Sequence, residues 1–203
     1  MGMTGGLVRA SAGDIQRLRE QPSDLPDFLG CNVWAPPLRA VRPKGVLGWL
    51  WRFSPITVEE VDPAAVPPAR VKPVRPHVDL EKAWHGLHFL FTGTAWEGDE
   101  PACYLTRGGE DIGDEDLGYS SIRVLDPERL RAFRGFLDGL SPEELRRRFE
   151  PRRMTELEIY PEVWDDESEA KTELDYLLAS FEALRQFVAE TADAGDGAIA
   201  FLT

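Results

Sequence analysis

At 203 residues, 42% apolar and 10% aromatic, the chain is long enough to bury a core without disulfide or metal staples, which excludes wholesale disorder. A formal charge of −13 excludes a nucleic-acid backbone as the expected partner, because binding phosphates requires a basic surface that releases counterions. The acidity is uneven: residues 1–78 carry ten basic and seven acidic side chains, whereas residues 79–203 carry thirteen and twenty-nine.

The N-terminus, Met1 to Gly6, lacks the cationic start and apolar core of a secretion signal, so a cytoplasmic protein is expected. A short apolar run at Leu7-Val8 precedes Ser11-Ala12-Gly13-Asp14, where the serine caps a predicted helix and Asp14 favours its positive end. Ile15 and Leu18 give that helix its apolar side, and Gln21-Pro22 ends it. A second short helix is expected from Ser23 to Leu29. From Gly30 to Pro76 the texture changes: nine of the sixteen prolines fall here, with Trp34, Trp49 and Trp51, and no periodicity persists. This stretch, with bounds of 30–77, reads as an insertion or arm within a single domain, its tryptophans expected to pack on the body rather than face water.

Leu80, Ala83, Trp84, Leu87 and Phe91 fall on one helical stripe, and Phe89 and Leu90 add apolar surface elsewhere, so a helix buried nearly all round is predicted, closing at Gly93. Trp96 to Gly118 holds eight acidic residues against Arg107 and reads as a solvated loop; it lacks the ligand pattern of a calcium-binding hand. Tyr119 to Leu125 has strand composition, and Asp126-Pro127 and Ser141-Pro142 each open a helix. The Arg146-Arg147-Arg148 run is expected to pair with neighbouring glutamates rather than bind phosphate. A long helix from about Ser168 to Ala192 precedes a final apolar strand, Ala198 to Leu202, whose unbroken hydrophobicity suits a strand covered on both faces. The pattern predicts an α/β domain of helices on a central mixed sheet.

Glu81, His85 and His88 fall within an arc of about 60° on a helical projection, a geometry that permits acid–base chemistry. Because the spacing is not HExxH and no fourth ligand is evident, no metal and no cofactor are expected there. Tyr119, Arg123, Tyr160 and Trp164 border predicted element ends, where pockets form in open α/β sheets, and are candidate ligand-binding residues. Neither GxGxxG, GxxxxGK nor GxSxG occurs. Cys31 and Cys103 are far apart and outside any CxxC pair, which suits a reducing compartment.

The start Met1-Gly2-Met3, the segment Leu80-Glu81-Lys82-Ala83-Trp84-His85-Gly86-Leu87-His88-Phe89-Leu90-Phe91-Thr92-Gly93, the Gly108-Gly109 to Gly118-Tyr119 loop and Ile159-Tyr160-Pro161 together resemble the YfbM-like family, a bacterial domain of unknown function. The resemblance spans residues 1–29 and 80–203 and departs from the family pattern in the stretch from Gly30 to Pro76. It implies a three-layer α/β sandwich and supplies no active site. Two functions are therefore compatible with the residues. One is a non-catalytic protein-binding module of the immunity or antitoxin kind, its acidic face masking the basic site of a partner protein. The alternative is a small hydrolase or ligand-binding enzyme built on Glu81, His85 and His88.

Overall fold

The computed structural model describes residues 3–29, 39–40, 58–59, 75–116, 121–164 and 170–202. Tyr119 and the tryptophans Trp34, Trp49 and Trp51 lie outside the described residues, as does the expected packing of those tryptophans. The chain divides into two compact units, residues 1–25 with 75–203, and residues 26–74. In the second, β2 (Arg39–Ala40) and β3 (Val58–Glu59) form an antiparallel pair.

The larger unit is built on five strands: β1 (Gly5–Ala10), β4 (His77–Glu81), β5 (Glu110–Asp116), β6 (Ser121–Leu125) and β7 (Gly197–Leu202). Their spatial order is β4-β1-β7-β6-β5, and every pairing is antiparallel. The mixed sheet expected from sequence is thus corrected. Helices separated by strands suggested parallel crossovers, but the chain leaves β6 through four helices and returns alongside it in the opposite sense as β7. That last strand is central, and Ala198, Ile199, Ala200 and Leu202 are all buried, as its unbroken hydrophobicity predicted.

Strand register explains how both faces are covered. Leu7 opposes Val78 and Ala200, placing these residues on one face with Leu80, Leu125 and Leu202. That face packs against α3 (Ala83–Thr92), α4 (Pro127–Asp138) and α7 (Ala170–Asp193), through Trp84, Leu87, Phe133, Leu177 and Phe181 among others. Val8 opposes Ile199 on the other face, where α1 (Ala12–Glu20) lies close enough to β7 that a Cβ on Gly197 would meet Ile15 at 2.8 Å. A 3-10 turn, Pro22–Asp24, leads from α1 into α2 (Leu25–Leu29), and α5 (Pro142–Arg148) and α6 (Pro151–Glu156) link α4 to α7.

Local chemistry accounts for the helix ends. The Ser11 hydroxyl accepts from the Asp14 amide while the Asp14 carboxylate accepts from the Ser11 amide, closing a capping box. Asp126 and Ser141 cap α4 and α5 by accepting from the amides of Arg129 and Glu144. Gly93 closes α3 at φ +74°, a conformation glycine adopts without a Cβ penalty. The arginine run is only partly a solvated face: Arg146 and Arg148 pair with Glu143 and Glu144, but Arg148 also donates to the Leu90 carbonyl at 3.1 Å, satisfying the end of α3.

Candidate functional site

The chemistry-bearing side chains gather around the first two turns of α3. This helix starts at Ala83, two residues after β4 ends, so Leu80 and Glu81 are strand residues and the helical projection does not apply to them. Glu81 is exposed, with φ +45°, and is not part of the arc that contains His85 and His88. The expected convergence of Glu81 with the two histidines is corrected accordingly. Residues 83–91 are all buried, as the apolar pattern predicted.

His85 stacks on Trp84, ring centroids 4.7 Å apart and planes within 4°, and Trp96 covers it at 4.4 Å. The Tyr160 amide donates to His85 Nδ1 at 3.0 Å, so the ring proton resides on Nε2, which donates to the Ala95 carbonyl at 2.7 Å. Burial holds its pKa below the ordinary value, with the Ala95 carbonyl opposing. His88 lies one turn on, its ring 6.4 Å from that of His85. Its Nδ1 meets the Thr106 hydroxyl at 3.0 Å, and its other nitrogen is 3.4 Å from the Thr92 hydroxyl. Burial, then the neighbouring His85, push its pKa down to about 4, against a backbone bond to Glu97. Both imidazoles are therefore neutral and engaged: they hold Ala95 and Thr106 of the segment after α3, and His85 also fixes the Tyr160 amide in the turn after α6.

Arg123 holds the same segment from the sheet. Its guanidinium is buried and donates to the carbonyls of Tyr104 at 3.1 Å, Leu105 at 3.2 Å and Gly108 at 3.4 Å. Burial lowers its pKa to about 10, with Asp111 opposing. These bonds tie Arg123 to the loop, while its Nε is buried without a hydrogen-bond partner. Tyr160 and Trp164, by contrast, belong to one turn after α6. Tyr160 is half-buried with its ring 6.0 Å from Trp84, and Trp164 is buried, donating from Nε1 to the Ile159 carbonyl at 2.6 Å. Of the candidate ligand residues, the structure brings Tyr160 and Trp164 together and places Arg123 under the neighbouring loop.

Residues 99–109, expected as solvated loop, are a turn-rich segment that buries Cys103, Tyr104 and Leu105. Glu100 organises it by accepting from the Tyr104 hydroxyl at 2.8 Å and the Gly109 amide at 2.9 Å. Glu100 and Tyr104 border an open groove of about 420 Å³ with Asp126, Glu128 and Arg129. The short apolar run Ala102-Cys103-Tyr104-Leu105 was the available sequence signal; the acids on either side of it obscured it. Among the described residues, no group of three or more His, Cys, Asp or Glu is arranged to hold a metal ion, and no helix is long and apolar enough to cross a membrane.

The chain is thus an α/β protein with an antiparallel sheet and a histidine pair built into its scaffold. The chain belongs to the family described as "Domain of unknown function (DUF1877)", which matches residues 1–201. It is similar to Protein YfbM of Escherichia coli (strain K12), with 32% identity over 89 residues. That alignment covers 42% of this chain and spans about half, 52%, of the relative's length. The crystal structure of the protein of unknown function YfbM from Escherichia coli superposes with a TM-score of 0.66 at 20% identity, covering 98% of this chain and 99% of that one. This likeness establishes a shared fold.

Proposed function

We propose that the protein is a non-catalytic, cytoplasmic protein-binding module, of the immunity or antitoxin kind, whose acidic exterior covers the basic site of a partner protein. The observation that carries this reading is the sealed state of His85 and His88, whose ring nitrogens are engaged by backbone groups and threonine hydroxyls. Their chemistry is spent on holding a loop, while the excess of carboxylates over cations in residues 79–203 faces a solvent able to deliver a basic protein. The hydrolase alternative needs Glu81, His85 and His88 to share an open site, and the separation of Glu81 from α3 gives it no support. We read the fold as a three-layer sandwich within a single domain, residues 30–77 being an insertion.

Affinity capture from the source organism at low and at physiological salt tests the function, followed by calorimetry on the identified partner. A basic partner binding one to one, with affinity that weakens as salt rises, is expected. Recovery of no stoichiometric partner at either salt concentration refutes the reading.

A further inference from the structure

Two large apolar side chains stand out from the described surface, Trp96 at 50% exposure and Val163 at 38%. They share one corner of the molecule. Trp96 lies over His85, and His85 accepts from the amide of Tyr160, three residues before Val163. Trp96 and Tyr160 thus rest on the same Trp84–His85 stack, one from the loop after α3 and one from the turn after α6. An exposed tryptophan backed by a rigid aromatic floor offers binding area at little entropic cost, because neither the ring nor its support has to be ordered on contact.

The turn bearing Tyr160 and Val163 is equally fixed. The amides of Glu158, Ile159 and Glu162 donate to the carbonyls of Thr155, Met154 and Ile159 at 3.0, 2.9 and 2.9 Å, and Trp164 pins the Ile159 carbonyl again from its indole. Glu158 and Glu162 flank Tyr160 on this frame, both exposed and, among the described residues, neither in an ion pair. The cations closest in sequence and on the facing loop are already engaged: Arg153 pairs with Glu156 and Arg107 with Glu97. The corner therefore joins an apolar centre to carboxylates that lack counter-charges.

We propose that this corner is the docking face for the basic partner, a refinement that rests on the module reading above. It accepts a segment in which an aromatic or aliphatic side chain lies against Trp96 and Tyr160 while adjacent arginine or lysine side chains pair with Glu158 and Glu162. Arginine is favoured because its guanidinium can also stack on the open face of Trp96. Charge complementarity selects this occupant. A second copy of the chain would bring a further −13 to the contact, and a nucleic acid would set phosphates against unpaired carboxylates.

The test is nitrogen-15 NMR on the full chain, titrated at about 0.15 M salt. The probe is an acetylated, amidated hexapeptide alternating arginine with leucine, and a control peptide carries glutamate in place of arginine. Expected are shifts confined to the Trp96 indole, identified with Trp96→Phe, and to the amides of residues 158–163, with none from the control peptide. The double substitution Glu158→Lys/Glu162→Lys is expected to weaken binding about ten-fold, whereas the equal charge change Glu190→Lys/Glu20→Lys leaves it within about two-fold. Both pairs are exposed, so the comparison does not depend on tolerance of a substitution at Trp96. Shifts centred elsewhere, no binding, or undiminished binding by the 158/162 variant overturns the docking face. The module reading is judged separately by partner capture, so either can fail while the other stands.

Discussion

Acidification should loosen this protein through His88 before its carboxylates matter. The ring is neutral in the fold with a pKa of about 4, against an ordinary value of 6.5 in the unfolded chain. Below pH 6.5 the unfolded state therefore binds the proton that the native state refuses, so stability is full above that pH and falls as pH drops. Linkage between those two values gives a loss of about 2 kcal/mol by pH 5 and about 3 kcal/mol by pH 4 from this ring alone. His85, also lowered by burial, adds in the same direction. Asp14 acts later. Burial tends to raise its pKa, but the Ser11 hydroxyl and amide and the Arg75 guanidinium hold it below the ordinary carboxylate value, so its contribution is lost only under more acid conditions. Urea unfolding of the wild type and of His88→Gln at pH 7, 6 and 5 measures the effect, with the slope m checked for constancy. The variant should start less stable at pH 7, yet lose about 2 kcal/mol less between pH 7 and pH 5. Parallel pH profiles for the two proteins would refute the assignment of a buried neutral His88.

Gly86→Ala should destabilise by about 1–3 kcal/mol in thermal melts although alanine is the better helix former, because a Cβ there would lie 2.7 Å from Leu177 and 3.1 Å from Trp164. A variant as stable as wild type would mean that α3 and α7 are not in close contact. Arg123→Met should free the carbonyls of Tyr104, Leu105 and Gly108, raising hydrogen-exchange rates across residues 104–108 and costing on the order of 3 kcal/mol. Unchanged protection of that loop would contradict its role. Ser141→Ala removes the cap on α5 and should cost about 1 kcal/mol by urea denaturation, with the arginine run less firmly held against α3.

Periodicity and capping chemistry were legible where the chain decides its structure locally. The capping box at Ser11, the starts of α4 and α5, the glycine stop at Gly93 and the centrality of β7 all follow from residues a few positions apart. The start of α3 did not, because Leu80 has a periodicity that suits helix and strand alike, and only pairing with β1 draws it into the sheet. Strand direction is likewise a property of distant partners. For the site, sequence pointed to the residues around His85 and Tyr160 but could not assign their partners. A histidine facing a backbone amide and a histidine facing water have the same spacing. Trp96 was missed as a recognition residue because it sits in a glycine-rich, acidic stretch, where its tilted contact with His85 has no local signature.

The acidic run from Glu110 to Asp116 forms β5, the outermost strand at one end of the sheet among the described residues. Such a border is the ordinary route by which sheets recruit copies of themselves into fibres, since its backbone donors and acceptors lack a neighbour on one side. With five carboxylates in seven residues, a like strand arriving at the spacing of about 4.8 Å would stack charge on charge. The composition that disguises this strand as a loop is thus one that disfavours pairing with a copy of itself.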